Sequence, residues 1–558
     1  ENAAGTTQEG KIMKRKAVAA VLTAVMVASM FTGCGSDNGS SSAKSASAAS
    51  AASAANDTVD EDGKVNGIMY QEGLPLVDEG DYTFSIFCDD SSESGEFIML
   101  DEFKKQTNVD VDLKIYPYET ATERLNLDLN SGDYADVIGG WTLSDNAILT
   151  YGVNQGVFIP LEDYFEKYCP NISAILDLPG VREKMTAPDG HIYTIPYVCT
   201  DTTVGYSPYI NTKWLENVGM SMPTTTDEFE AVLKAFKEQD ANGNGDASDE
   251  IPFSTDPNNK HIEAMAGYFG LPMNKLGIAI QNEKVVYGGV SDTYREFLSW
   301  FHKLYAEGLV DVELYTQDSS TWEGKGNQDL YGVSIAYGSN EFTGIPAAEE
   351  RGDFDSMPVL NTDKDGIWLR DTEGFSVYRT QAVITNKAEH PEIICRWFDN
   401  AFALENGIGC NRGPVGVIVN KEDDGYHAID TTTLSEEDQE KYSWGNLWPQ
   451  SLPKYLPVDF EFVEEHPMYD EKKATEEAYE ANLTKEIIPS YWIDLDKIDT
   501  FSDTNTAIKD FFEQQQAQFV CGELDIDNDA DWQAYVDGMY SLGLEDWVAT
   551  QGIEEIAK

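Results

Sequence analysis

The chain has 558 residues and carries 99 acidic against 38 basic side chains, which gives a formal net charge of −61 at pH 7. Such acidity excludes nucleic-acid binding, which needs a basic surface, and it disfavours anionic ligands outside a local arginine pocket. With 41% hydrophobic and 11% aromatic residues, the stretch after about Tyr82 can bury two or three domain-sized cores.

Residues 13–34 have the order of an export signal. A basic stretch at 14–16 precedes an apolar run at 17–31, and Thr-Gly-Cys follows, ending at Cys34. The segment resembles a bacterial lipoprotein signal, which implies lipidation of Cys34 and an anchor on the extracellular face of the cell membrane. An ordinary secretory signal with an incidental cysteine is the alternative. Upstream residues and signal thus occupy 1–33, and a lipidated cysteine with a flexible Gly/Ser/Ala-rich tether occupies 34–80.

The next elements predict an α/β lobe over 81–200. A β-rich strand at 82–88 leads through an acidic loop at 89–96 to a helix around 97–107. A strand at 109–117, a helix at 119–130 and a strand at 135–141 follow, and 190–198 is a further extended segment. Strands alternating with helices indicate a parallel sheet, in which ligands bind beyond the carboxyl ends of the strands. The acidic loop and Trp141 should therefore share one rim.

A second α/β lobe is predicted over 201–385. Helices are expected at 227–238 and 293–307, and strands at 331–336 and 374–385. A helix at 391–404 begins at a proline, and amphipathic helices at 505–520 and 530–548 complete the chain. We expect 386–558 to supply crossing segments and a helical part that completes both lobes.

Several segments together resemble bacterial extracellular solute-binding proteins of ABC importers, of the large sugar-binding type. They are SGDYADVIGGW at 131–141, GVFIPLEDY at 156–164, DGHIYTIPY at 189–197, NTKW at 211–214, PTTTDEFEAVLKAFKE at 223–238 and YAEGLVDVE at 305–313. The resemblance implies two α/β lobes with a hinge and a ligand cleft between them. It also implies a monomeric, non-enzymatic protein that captures a carbohydrate, most simply an oligosaccharide, and delivers it to the transmembrane subunits of an ABC permease.

An Asn/Gly-rich loop at 240–250 resembles the first half of a calcium-binding loop. Oxygen-bearing side chains alternate along it and Gly245 stands sixth, but Ile251 takes the twelfth position, where a glutamate is usual. Related proteins close a similar loop with an acidic pair before Ile-Pro. The resemblance implies a structural Ca²⁺ held by Asp240, Asn242, Asn244, the Asp246 carbonyl, Asp249 and Glu250. A turn without an ion is the alternative.

The ligand site is predicted from residue chemistry, because sugars present apolar C–H faces for aromatic rings and hydroxyls for carboxylates and arginines. Trp300 and Trp397 lie in amphipathic helices and are assigned to the core. The candidates are residues in polar or loop-like contexts: Asp89, Glu96, Trp141, Asp145, Tyr206, Trp322, Arg370, Glu373, Arg412, Trp444 and Trp448.

Other functions remain open at this point. A surface glycoside hydrolase needs two carboxylates about 5–10 Å apart across a cleft, which a sequence with many acids does not exclude. A carbohydrate-binding adhesin, or a binder of peptides or other organic solutes, is also possible. The seven cysteines and six histidines form no CxxC or HExxH motif, so the sequence indicates neither zinc nor redox chemistry. We expect the cysteines after Cys34 to be mostly unpaired and buried.

Overall fold

The computed structural model describes residues 57–90, 96–256, 261–344, 353–429, 431–457, 460, 462–463 and 467–557. The predicted signal, Cys34 and the first part of the predicted tether, up to residue 56, lie outside the described residues, as does most of the acidic loop, 91–95. The prediction of a flexible tether is wrong for 57–80, because Val65, Met69, Leu76 and Val77 are buried in a hydrophobic core. Within the described ranges, no helix is both long and apolar enough to cross a membrane.

The strands are short and fall into two main sheets and three small ones. In chain order they are β1 Lys64–Val65, β2 Met69–Tyr70, β3 Tyr82–Asp89, β4 Val109–Tyr116, β5 Val137–Gly139, β6 Thr194–Thr200, β7 Ser207–Asn211, β8 Ile251–Thr255, β9 Ile278–Gln281, β10 Lys284–Tyr287, β11 Tyr331–Ala336, β12 Phe354–Ser356, β13 Phe375–Ile384, β14 Val419–Glu422, β15 Gly425–Ala428 and β16 Glu555–Ile556.

The helices pack around these sheets. Those up to residue 218 are Ile98–Thr107, Tyr118–Ser131, Asp145–Ala147, Ile148–Asn154, Glu162–Tyr168, Pro170–Leu176, Val181–Met185 and Thr212–Val218. The later helices are Thr226–Glu238, Ile262–Phe269, Asp292–Ala306, Ser319–Asn327, Asn340–Thr343, Pro391–Ala401, Leu404–Arg412, Glu436–Lys441, Pro467–Tyr479, Ile498–Cys521, Asp529–Ser541 and Leu544–Thr550, with single 3₁₀ turns at Thr431–Thr433, Trp444–Asn446, Glu480–Asn482 and Leu495–Lys497.

The first main sheet has the strand order β4-β3-β5-β13-β6. β3 pairs in parallel with β4 and with β5, and the pairing with β4 runs without a shift from Tyr82 opposite Val109 to Asp89 opposite Tyr116. The predicted alternation of strands and helices over 82–141 is therefore confirmed. Alternating apolar residues fill the buried faces of β3, as expected for a strand covered by helices.

One predicted strand pairs with the first sheet instead of the second. The segment 374–385, predicted in the second lobe, is β13, and it pairs antiparallel with β5 and β6 of the first sheet. Strand propensity identifies such a segment but not its partner, because pairing across more than two hundred residues is decided by packing. The boundaries placed at 200/201 and 385/386 stay a prediction.

The second main sheet has the order β12-β7-β11-β8, with β11 parallel to β8 and antiparallel to β7. Helix Thr226–Glu238 illustrates how the sequence builds this lobe. Thr225 caps it by accepting the Glu228 N–H, and its apolar positions recur at helical spacing, so that one stripe is buried. The two sheets have separate hydrophobic cores, which makes the molecule two-lobed.

The cysteines follow the expected burial in most cases. Cys88, Cys169, Cys395 and Cys410 are buried, whereas Cys199 is half-buried and Cys521 is exposed. All six are free thiols in the structure. Burial raises the pKa of Cys199 to about 12, which keeps this thiol protonated and unreactive at neutral pH.

Candidate ligand-binding cleft

The carboxyl ends of the parallel strands in the first sheet meet at one edge. β3 ends at Asp89, β5 is followed closely by Trp141, and Asp201 follows β6, which runs in the same direction because both β5 and β6 are antiparallel to β13. The predicted shared rim for Asp89 and Trp141 is confirmed. In open α/β sheets this edge is where ligands bind.

Trp141 presents an aromatic surface at this edge. Its side chain is 46% exposed. The Tyr378 ring meets it edge-on with centroids 5.3 Å apart, and the Tyr197 ring lies 6.4 Å away. The Tyr118 side chain lies next to Trp141. A ring held on several sides but open to solvent is a preformed platform.

Asp89 supports that platform from below. The backbone N–H groups of Trp141 and Thr142 donate to its two carboxylate oxygens over 3.0 and 2.6 Å. A Cβ on Gly140, whose φ is +131°, would lie 2.2 Å from the Asp89 carboxylate, so the close approach requires glycine here. Burial raises the pKa of Asp89. The geometry assigns Asp89 to holding the Trp141 loop.

Asp145 is engaged in a two-pronged ion pair. Arg379 donates to its carboxylate oxygens over 2.8 and 2.6 Å and also to the Tyr491 carbonyl over 2.8 Å. Arg379 is only 5% exposed, and its guanidinium lies 4.1 Å from the centre of the Trp492 ring. Asp145 therefore neutralises a buried cation next to Tyr378.

A matching edge belongs to the second sheet. Asp256 and Tyr337 directly follow the parallel strands β8 and β11, and Tyr206 precedes β7, whose first residue lies opposite the end of β11. The Tyr206 ring stacks on the His261 imidazole with centroids 4.0 Å apart, and the Tyr337 ring meets Tyr206 edge-on at 6.0 Å. Burial lowers the pKa of His261 to about 4, so this ring is neutral at physiological pH.

Asp201 joins the two edges. It lies on the segment that crosses from β6 to β7. One carboxylate oxygen accepts the Tyr337 hydroxyl at 3.2 Å, and the other accepts the hydroxyls of Ser376 at 2.5 Å and Tyr378 at 3.4 Å. Tyrosines of both lobes thus donate to a single acid where the chain crosses.

Two buried lysines lie beside the aromatic rings. The Lys472 ammonium is 3.6 Å from the centre of the Tyr337 ring and donates to the Gly205 carbonyl over 3.0 Å. The Lys454 ammonium is 5.2 Å from the centre of the Trp444 ring. Burial lowers the pKa of each lysine to about 8, against the pull of nearby carboxylates.

Sequence reasoning missed Tyr197, Asp201, His261, Tyr337 and Tyr378. A usable signal existed for two of them, because Asp201 and Tyr337 come directly after strands whose carboxyl ends point toward the ligand side. The other three have no local signal and are brought in by tertiary packing.

Two predicted ligand-binding residues, Trp322 and Trp448, are buried in the core. Trp322 is 3% exposed and donates its indole N–H to Ser334 over 3.2 Å. Trp448 is fully buried, stacked on Trp397 with centroids 5.7 Å apart, and donates to the Leu452 carbonyl. Both indoles are flanked by polar residues in sequence but pack against apolar neighbours from distant segments.

The two predicted arginines contact other parts of the molecule. Arg370 donates to the Thr484 carbonyl over 3.1 Å. The Arg412 guanidinium lies 5.9 Å from the centre of the Phe462 ring. Neither contact involves the aromatic residues around Trp141 and Tyr206. The side chains of Glu96 and Glu373 are exposed, as is that of Trp444 at 56%.

The loop at 240–250 is closed by hydrogen bonds among its own polar groups, and the predicted ion there stays a prediction. Asp240 accepts the Gly245 N–H over 3.0 Å, and the side-chain amides of Asn242 and Asn244 both donate to the Asp249 carboxylate, over 3.2 and 2.8 Å. A half-turn of each amide would bring its oxygen to the side of Asp249, and it would break the hydrogen bonds in which these oxygens accept the N–H groups of Asn244 and Asp246. The donor set then matches the hard oxygen ligands that Ca²⁺ prefers.

The other two acids of the loop make separate contacts. The Asp246 carboxylate accepts the N–H and hydroxyl of Ser248, which leaves its backbone carbonyl as the candidate ligand. Glu250 accepts the Ala241 N–H with one oxygen, while its other oxygen is buried without a hydrogen-bond partner among the described residues. Burial raises the pKa of Glu250, and Asp249 raises it further. An unsatisfied buried carboxylate oxygen is what a cation would satisfy.

Comparison with known proteins agrees with this architecture. The family model for bacterial extracellular solute-binding proteins matches residues 90–407. The chain belongs to this family. The chain is 31% identical over 411 residues to the fructooligosaccharide ABC transporter substrate-binding protein FusA of Streptococcus pneumoniae serotype 4. This alignment covers 71% of this chain and 70% of FusA.

Two solved structures of FusA share the fold of this solute-binding protein. FusA in complex with kestose has a TM-score of 0.74 at 26% identity, and an EF-hand mutant of FusA in complex with fructo-nystose has a TM-score of 0.72 at 27% identity. Each alignment covers 84% of this chain and 98% of FusA. The chain is thus a two-lobed solute-binding protein and not an enzyme, and the glycoside-hydrolase alternative is set aside.

Proposed function

We propose that this protein is the lipid-anchored substrate-binding component of an ABC importer, and that it captures an oligosaccharide between its two lobes. The observation that carries the proposal is the series of aromatic rings from Trp141 through Tyr378 to Tyr337 and Tyr206, joined at Asp201. Aromatic faces bind the C–H faces of sugars, and an acid between them accepts sugar hydroxyls. FusA, named for fructooligosaccharide binding, supports a carbohydrate ligand.

A second exposed tryptophan favours an oligosaccharide over a single sugar. The Asp90 carboxylate accepts the Gln450 N–H over 2.8 Å, and the Gln450 side-chain amide donates to the Trp444 carbonyl over 2.8 Å. Asp90 follows Asp89, which holds the Trp141 loop. Trp444 and Trp141 therefore flank the same strand end, and a ligand that contacts both must extend across it.

Calcium is the proposed structural ion at 240–250. The ligands are Asp240, Asn242, Asn244, Asp249 and Glu250 through side chains and Asp246 through its carbonyl. The buried, unsatisfied Glu250 oxygen supports the assignment, and the FusA structure described as an EF-hand mutant indicates a loop of this type in a relative. The ion would pin the loop that connects helix Thr226–Glu238 to β8.

Anchoring and delivery complete the proposal. Lipidation at Cys34, followed by a tether that precedes the folded residues, would keep a monomeric binding protein beside its permease, on the extracellular face of the membrane. The resemblance of residues 13–34 to a lipoprotein signal supports the anchor. Retention of radiolabelled lipid by the native chain, and its loss in Cys34→Ala, would test it.

Titration calorimetry with kestose, nystose and other neutral tri- and tetrasaccharides tests the ligand proposal, with sugar chromatography of the same samples. We expect a one-to-one complex with no new product, and a stabilisation of about 2.7 kcal/mol when the ligand stands at a hundred times its Kd. Trp141→Ala should lose at least tenfold in affinity. Absence of binding across the panel contradicts the proposal.

A further inference from the structure

The charges around the cleft carry information about the ligand. On the first-lobe side the acids are Asp89 and Asp90, and Asp201 lies at the crossing. On the second-lobe side Asp256, Glu323 and Glu341 lie close enough that Asp256 raises the pKa of both glutamates, after the larger effect of their burial. Carboxylates that raise one another's pKa already crowd negative charge into this region.

The buried cations nearby are committed to protein groups. The Arg379 guanidinium donates to the Asp145 carboxylate and to the Tyr491 carbonyl. Lys454 is 2% exposed and donates to the Gln450 side chain. Lys472, 9% exposed, donates to the Gly205 carbonyl and faces the carboxylates of Asp201, Glu341, Asp371 and Glu471. Each of the three is therefore already engaged by protein oxygens.

Two further cations lie near the aromatic residues: Lys275, whose charge acts on His261, and Arg412, whose charge acts on Lys454. They leave the carboxylates in excess, within a chain of net charge −61. A ligand carboxylate in a partly buried site needs its own paired cation, and repulsion from several acids makes that pairing harder to supply.

Asp201 has the chemistry to discriminate. Its carboxylate accepts the Thr202 N–H and the hydroxyls of Tyr337, Ser376 and Tyr378, two donors on each oxygen, so a sugar hydroxyl must displace one of them to reach it. A sugar hydroxyl can donate to such an acid in the same way. A uronic acid replaces a hydroxymethyl donor by a charged, acceptor-only carboxylate, which Asp201 would repel.

We propose that the cleft selects neutral oligosaccharides and rejects uronic-acid oligomers, with Asp201 as the discriminating residue. This inference rests on the proposed function, since it names the class of carbohydrate that the same cleft takes. In terms of affinity, we expect the best neutral tetrasaccharide to bind at least tenfold more tightly than any uronide tetramer at low salt.

The test is calorimetric titration of the purified chain with two matched panels. One contains neutral fructo-, malto-, manno- and galacto-tetrasaccharides, and the other contains galacturonate, mannuronate and guluronate tetramers. Binding confined to the neutral panel supports the inference. A uronide that binds as tightly as the best neutral sugar overturns the inference but leaves the proposed oligosaccharide capture intact. Absence of binding to every sugar in both panels contradicts the proposed function.

Salt and two charge-matched variants test the cause. Salt screens electrostatic repulsion, and the Debye length shortens from about 20 Å at 20 mM salt to about 4 Å at 500 mM. The ratio of neutral-sugar affinity to uronide affinity should therefore fall several-fold over this range. Asp201→Asn, which retains one acceptor oxygen for the hydroxyls of Ser376 and Tyr378, should lower the ratio at least threefold. Asp112→Asn removes the same charge from an exposed position on β4 and should leave the ratio unchanged.

A ratio insensitive to salt means steric exclusion and overturns the electrostatic account, even if Asp201→Asn unfolds. A folded Asp201→Asn chain with an unchanged ratio overturns the role of Asp201.

Discussion

The Tyr206 ring lies flat on the His261 imidazole, with centroids 4.0 Å apart and planes inclined by 12°. Burial is the main reason that the pKa of His261 falls to about 4, and Lys275 lowers it further. At pH values between the ordinary histidine pKa of about 6.5 and this lowered pKa, the histidine is protonated in the unfolded chain but neutral in the folded chain. The stabilisation from neutral His261 is therefore complete above about pH 6.5 and is lost as the pH falls toward 4.

We predict that His261 makes the free energy of unfolding about 2.5 kcal/mol lower at pH 4.5 than at pH 7, beyond the contribution of other groups. His261→Asn should remove this part of the pH dependence, because asparagine does not titrate and tolerates the left-handed backbone at φ +47°. Urea unfolding of both proteins at the two pH values measures the difference. Equal pH dependence in the two proteins contradicts the prediction.

Two tryptophan variants should separate binding from stability. Trp322→Ala removes a ring buried in the core beneath the second sheet and should cost about 3–5 kcal/mol of stability. Trp141→Ala removes a half-exposed ring and should cost about 1 kcal/mol or less, while sugar affinity falls at least tenfold. Denaturant titration and calorimetry report the two quantities. A Trp322→Ala protein of normal stability and weakened binding would reverse these assignments.

The sequence predicts the strands and helices of the first lobe better than it predicts the residues of the cleft. Alternating apolar residues and a helical period define 82–141 locally, and the parallel-strand rule then puts Asp89 and Trp141 on one edge. The burial of Trp322 could not be predicted, because polar neighbours in sequence do not report which ring or strand packs against an indole. Asp201 acquires its role only when Tyr337 and Tyr378, from different lobes, reach it.

The ion pair between Asp145 and Arg379 predicts a stability effect where a ligand effect was expected. Asp145→Asn leaves a 5% exposed guanidinium with a weakened partner, so unfolding free energy should fall by about 2–4 kcal/mol. A double-mutant cycle with Arg379→Met should show a favourable coupling of at least about 1 kcal/mol. Sugar affinity should change less than threefold if Asp145 contacts no sugar. A tenfold loss of affinity at unchanged stability would restore Asp145 to the ligand site.

Calcium should stabilise the loop at 240–250. We expect calorimetry of the metal-free protein to detect one bound Ca²⁺ per chain, and EDTA to lower the melting temperature of the calcium-loaded protein. Asp240→Ala should abolish both effects, because it removes the carboxylate that receives the Gly245 N–H at the start of the loop.

Asp246→Ala is the matched control for that experiment. It removes one carboxylate from the same loop, but the proposed ligand at this position is the backbone carbonyl, since the side chain accepts the N–H and hydroxyl of Ser248. The variant should therefore keep its response to EDTA, with an offset in melting temperature from the lost Ser248 contacts.

Glu250→Gln should weaken Ca²⁺ binding at least tenfold, because a neutral amide replaces the buried carboxylate with the unsatisfied oxygen. If native protein stripped of metal neither binds Ca²⁺ nor changes its melting temperature, the loop is an Asn/Gly turn, and the hydrogen bonds from Asn242 and Asn244 to Asp249 are sufficient to hold it.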